Sequence, residues 1–214
     1  MSLGSALRRL LGPDLARRAG LHYRAFFVDL DAVAHALASA IPPRARVLDV
    51  GGGDGVPLNY LLRLRGDIVV TAIDPAAEVG QWIDPEHAAR VSRRPRTTLA
   101  DYLAGPDEPP DVLLMVDVLH HIPQSDRVAV FDCIADLLRR APGMRLIVKD
   151  VEPGSPRARL GYWSDRFVTG DKRVSPVRRD EVRALVRSTL GSLRVEETGL
   201  FDADRPNYAL VFHR

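Results

Sequence analysis

Short apolar runs that alternate with helical or polar stretches constrain this chain most. They fall at 45–50 (A-R-V-L-D-V), 67–74 (D-I-V-V-T-A-I-D), 96–101 (R-T-T-L-A-D), 111–117 (D-V-L-L-M-V-D) and 145–151 (R-L-I-V-K-D-V). All are short, and most are rich in Val, Ile and Leu, so both faces of such strands must be covered. That predicts an α/β fold with a mostly parallel sheet between helical layers. Helices are expected over 58–64, around 76–91, over 125–140 with Val128, Phe131, Ile134, Leu137 and Leu138 on one face, and over 180–190. L-R-V-E-E-T-G and N-Y-A-L-V-F-H supply two further strands near the C-terminus. Before the first strand, Leu3, Leu7, Leu10 and Leu11, then Phe26, Phe27, Leu30, Val33, Ala34 and Leu37, recur at helical spacing.

Composition narrows the setting. With 214 residues and 46% hydrophobic side chains, one α/β domain with a sizeable core is expected. Residues 1–42 are read as a helical lid and 43–214 as the domain, carrying a lid insert at 152–179 beyond a central strand. A net charge of +2, from 30 basic and 28 acidic residues, gives no single-sign field of the kind that nucleic acid requires. The single Cys133 excludes an intramolecular disulfide framework. No stretch approaches the roughly 20 apolar residues that span a bilayer, and the first residues lack a signal-peptide core. A soluble, cytoplasmic protein, monomer or homodimer, is the expectation. The alternative for the Leu3–Leu11 helix is an amphipathic membrane-surface anchor, which Asp14, Asp29 and Asp31 disfavour by interrupting its basic face.

The first strand runs into D-V-G-G-G-D-G. A glycine turn after the first strand of such a sheet brings bare backbone against a ligand. A dinucleotide site needs G-x-G-x-x-G, but counting from Gly51 the third glycine position holds Val56. Acids at Asp49 and Asp54 would also repel a pyrophosphate, whereas they suit a cationic ligand.

The motif resembles the first motif of class I S-adenosylmethionine-dependent methyltransferases, an acidic residue followed by G-x-G-x-G. The resemblance covers about residues 45–151 and implies a Rossmann-like, doubly wound seven-stranded sheet whose last strand is antiparallel. It also implies S-adenosylmethionine as the cofactor, held by Asp49, Gly51, Gly52 and Gly53. Asp74, followed by Pro75 and lying 25 residues after Asp49, would accept the ribose hydroxyls. Asp101 would take the adenine amino group with Tyr102 beside the ring, and Asp117 with Val118 would close the site. Any one of these aspartates could instead be a helix cap or turn former.

Methyl transfer asks a protein for alignment, exclusion of water and, for a hydroxyl acceptor, a base. V-L-H-H-I-P follows Asp117 directly. Plant-type small-molecule O-methyltransferases carry L-H-D here with the histidine as base, which by resemblance gives the role to His120, with His121 standing where that family has Asp. Both histidines could equally orient or underpack the loop. Asp117, Asp150 and Glu152 offer oxygen ligands of the kind a metal-assisted O-methyltransferase uses, but the adjacent Asp-Asn pair of that family is absent, so no metal is expected. Residues 152–183 hold eight Arg or Lys against five Asp or Glu, a solvated face or a site for an anionic acceptor. Tyr162, Trp163, Arg166 and Phe167 fall on two adjacent helical stripes and are expected to line the acceptor pocket. The resulting expectation is O-methylation of an aromatic or polyketide-like metabolite or quinone. The alternatives are N- or C-methylation of a small molecule or carrier-bound peptide or lipid, and a non-catalytic S-adenosylmethionine-binding partner subunit.

Overall fold

A computed structural model describes residues 27–164, 174–191, 193–198 and 206–214. Seven strands form one sheet: β1 (Arg46–Val50), β2 (Val69–Asp74), β3 (Val91–Pro95), β4 (Val112–Val116), β5 (Arg145–Val151), β6 (Arg194–Thr198) and β7 (Asn207–His213). Their order is β3-β2-β1-β4-β5-β7-β6. β1 to β5 run parallel, and β7 lies antiparallel between β5 and β6. The expected seven-stranded, mostly parallel sheet is what forms.

Strand alternation splits the core in two. Val47, Val70, Ile147 and Val211 face one side, packed with α1 (Leu30–Ala40) and α2 (Val56–Leu64). Leu48, Ile73, Val148 and Leu210 face the other, packed with α4 (Gln124–Arg140) and α6 (Arg179–Leu190). The remaining described α-helices are α3 (Leu99–Ala104) and α5 (Pro156–Ser164). α1 starts on an Asp29 cap, whose Oδ1 accepts the Ala32 amide at 3.0 Å, and its other end is clamped by Arg65. That guanidinium donates to the carbonyls of Ala38, Ile41 and Pro42. The first expected helix, around Leu3–Leu11, lies outside the described residues.

Two expected elements are corrected. The third strand is not 96–101 but Val91–Pro95. Arg96 turns the chain in the left-handed region (φ 54°), and Thr98 and Asp101 then form a reciprocal capping box that starts α3. Nor do residues 76–91 form an α-helix. They cross the glycine loop and close with a 3-10 turn at Pro85–Arg90. Buried Asn59 of α2 holds this segment, donating to the Trp82 carbonyl (2.8 Å) and accepting the Asp84 amide (2.9 Å). Tertiary hydrogen bonds thus replace the helical ones.

The strand order reverses at β1, whose neighbours are β2 and β4. The carboxyl ends of β1 and β4 therefore flank a crevice at the switch point, where ligands of open α/β sheets bind.

Candidate active site

The glycine loop is built for close approach and against anions. Gly51, Gly53 and Gly55 all have positive φ (74°, 51° and 84°), which a side chain would strain. A Cβ on Gly51 would stand 2.7 Å from Val118 Cγ2, and one on Gly52 would stand 3.0 Å from Asp49 Oδ2. On Gly53 it would meet only open space beyond the Gly51 carbonyl at 3.8 Å. The loop amides are consumed internally. Gly51 and Gly52 donate to the Ile73 carbonyl, Gly53 to Asp74 Oδ2 at 3.0 Å, and Gly55 to the Gly52 carbonyl. At the start of α2, Asp54 Oδ1 takes the Val56 amide. A phosphate would find these donors taken and two carboxylates facing it, while a cationic ligand would find Asp49 and Asp74. Burial, and then the neighbouring Asp74 charge, pushes the Asp49 carboxyl up to about 7.

Beyond β2 the picture departs from expectation. Asp74 ends its strand and binds back to the loop, with Oδ1 accepting the Ala76 amide at 2.8 Å, and Pro75 is exposed beside it. Asp101 does not end a strand. It is the third residue of α3, where its Oδ2 accepts from the Thr98 amide and hydroxyl, contacts that lower its pKa. Tyr102 is turned toward the opposite end of the sheet. Its hydroxyl donates to the Glu108 carbonyl (3.1 Å), and its ring lines a groove of about 380 Å³ with Arg46, Val69 and Thr71 at the amino-terminal ends of β1 and β2. The residues folded against Asp74 are instead Arg96 and Thr97. Thr97 donates its amide to the Asp74 carbonyl, and Arg96 donates to that of Ala76. An alternation of turn and cap residues in P-R-T-T-L-A-D is the signal that could have placed them.

At the end of β4 the expected residues do converge. Asp117 takes φ 56°, unusual for a residue with a side chain, and turns the chain so that Val118 lies on Gly51. A 3-10 turn, Leu119–His121, follows. It delivers His120, 4% exposed, onto Asp150 of β5, which is wholly buried. His120 Nδ1 donates to Asp150 Oδ1 at 2.7 Å, and the His120 amide reaches Oδ2 at 3.3 Å. Burial alone would raise the Asp150 carboxyl, but His120, the Val151 amide and Lys149 together bring it below its ordinary value. It therefore acts as an ionised acceptor that fixes the Nδ1–H tautomer. The half-buried His121 ring lies 4.1 Å from that of His120.

Sequence reasoning missed two cations. Lys149 of β5 buries its ammonium completely and donates to both Asp117 oxygens, at 2.6 and 2.8 Å. Buried Arg127 of α4 donates to the carbonyls of Ile122 and Ser175, while the Ser175 amide donates to the His120 carbonyl. Only the apolar face of that helix was read from sequence.

On the acceptor side, the Tyr162 ring meets His120 edge-on at 5.7 Å and its hydroxyl donates to the Val151 carbonyl at 2.6 Å. Trp163, expected in the pocket wall, is 56% exposed on α5. Arg166 and Phe167 lie outside the described residues. Donor atoms of Asp117, His120 and Asp150 lie within 4.8 Å of one another, yet Lys149 already neutralises both oxygens of Asp117, which makes the set a poor metal cage. Glu152 is drawn away, accepting the Arg179 amide.

The profile of the methyltransferase-domain family matches residues 21–189. No curated protein sequence matches the chain significantly. Among solved structures, the pyocyanin biosynthetic protein PhzM is similar with a TM-score of 0.70 at 17% identity, covering 100% of this chain and 62% of its own. The mitomycin 7-O-methyltransferase MmcR gives 0.62 at 22% identity, covering 86% and 53%. Human N-acetylserotonin methyltransferase, solved in complex with S-adenosylmethionine, gives 0.63 at 18%, covering 99% and 59%. The chain thus spans between about half and three-fifths of the length of these structures.

Proposed function

We propose, from the premise that this chain belongs to the methyltransferase-domain family and is an S-adenosylmethionine-dependent methyltransferase, that it O-methylates a phenolic or otherwise acidic hydroxyl of a small molecule. The observation that carries this reading is the buried His120–Asp150 pair, one turn beyond the crevice end of β4. With the proton held on Nδ1, Nε2 is the basic nitrogen of the ring, and a base is what a hydroxyl acceptor requires at neutral pH. The small-molecule O-methyltransferases among the similar structures support the same class.

When bound, S-adenosylmethionine would supply an electrophilic methyl and a sulfur leaving group that keeps the bonding electron pair. The residues of this chain do the rest. Asp49 would hold the cationic donor and Asp74 its ribose hydroxyls, while Gly51, Gly52 and Gly53 would let it approach the backbone and Val118 closes the loop. Pro75, exposed beside Asp74, would border the same site. His120 Nε2 takes the hydroxyl proton, Asp150 stabilises the imidazolium, and His121 and Tyr162 wall the acceptor. Asp101, occupied in its helix cap, and Tyr102, turned away, are left outside this site.

The test is methyl transfer to a panel of phenols, amines and carbon acids, with product analysis. His120→Gln should lower kcat on a phenol by roughly 10²–10⁴-fold while S-adenosylmethionine affinity stays within threefold of wild type. His121→Gln should cost much less. Turnover on amines alone, indifferent to His120, would overturn the reading.

A further inference from the structure

We infer that Lys149 is a positioning residue, which holds Asp117 in its left-handed conformation and through it seats Val118 on the glycine loop. Asp117 and Lys149 are linked twice. The Lys149 ammonium spans both carboxylate oxygens, and the Asp117 amide donates to the Lys149 carbonyl at 2.9 Å. A fully buried ammonium is costly without a counter-ion, so burying Lys149 demands the Asp117 carboxylate at this spot. That demand fixes the side chain of a residue whose φ of 56° would otherwise be disfavoured by about tenfold.

The turn has consequences on both sides. Val118, the next residue, lies so close that a Cβ on Gly51 would sit 2.7 Å from it. His120, three residues on, lands on Asp150, the strand neighbour of Lys149. One lysine thereby sets the geometry at which the donor loop and the histidine turn meet. In this account Asp117 serves donor binding through its backbone, its carboxylate being committed to Lys149.

The inference rests on the donor lying against Gly51–Gly53 as proposed above, and donor binding tests it without an identified acceptor. S-adenosylmethionine is titrated calorimetrically into wild type, Lys149→Met, and the double variants Lys149→Met/Asp117→Gly and Lys149→Met/Asp117→Ala. Glycine adopts the left-handed conformation without help and alanine does not. Lys149→Met should bind at least tenfold more weakly. The glycine double variant should recover to within threefold of wild type, and the alanine one should not. Wild-type affinity in Lys149→Met, or equal affinities in the two double variants, would overturn the proposal. Should Lys149→Met not fold, the double variants decide alone, since both replace the ion pair with uncharged residues. No binding by wild type would instead remove the donor seat, a distinct outcome.

Discussion

Asp49 is the residue whose charge state matters most, because it is buried beside Asp74 at the end of β1, where the donor is proposed to bind. Its carboxyl rises from an ordinary value near 4 to about 7, with burial as the larger cause and Asp74 as the second. The folded chain therefore keeps a proton that the unfolded chain has lost. The contribution of Asp49 to stability is greatest below the unfolded pKa and is lost as pH rises through 7, by on the order of 4 kcal/mol in all. Asp49→Asn should flatten this dependence, which urea denaturation of the ligand-free protein at pH 5 and pH 8 measures. A donor with ammonium and sulfonium groups favours the ionised form, so S-adenosylmethionine should bind more tightly as pH rises through 7 and release a proton. Calorimetry in buffers of different ionisation enthalpy reads that proton, and affinity independent of pH between 6 and 8 would contradict the assignment. Asp150 carries the opposite sign. Its lowered pKa contributes stability above its unfolded value, lost as pH falls below it.

At the scale of elements, the glycine loop and the turn after β4 are one unit, since Val118 fills the space a Gly51 side chain would need. Gly51→Ala combines that clash with a φ of 74° and should cost about 1–3 kcal/mol and at least tenfold in donor affinity. Gly66→Ala, in an exposed turn with nothing within 4 Å of the added Cβ, should change neither. Thermal melts and donor titrations of the two variants make the comparison. Elements were legible in sequence wherever a single face was apolar. Val128, Phe131, Ile134, Leu137 and Leu138 announced α4, although Val128 remains half exposed. The misplacement of β3 came from reading T-T-L-A-D as strand, when Thr98 and Asp101 spend their side chains capping a helix.

For the whole molecule, the order β3-β2-β1-β4-β5-β7-β6 puts the last strand in the chain inside the sheet, with buried residues from Asn207 to Phe212. β6 is an exposed edge and β3 the other edge. Native-state hydrogen exchange should accordingly be slowest in β1, β4, β5 and β7 and faster in β3 and β6. Uniform exchange along β6 and β7 would show that the C-terminal hairpin is not divided this way. None of the described helices is long and apolar enough to cross a membrane. The sequence by itself determined the parallel sheet, the glycine turn and the acids at Asp49, Asp74 and Asp117, because burial of continuous apolar strands and the backbone freedom of glycine are local properties. Only the tertiary structure decided that Lys149 pairs with Asp117, that His120 donates to Asp150, and that Tyr102 faces away. The first two depend on which side chains the register of neighbouring strands and the left-handed turn at Asp117 bring within hydrogen-bonding distance, over separations of about thirty residues that no periodicity in the chain records.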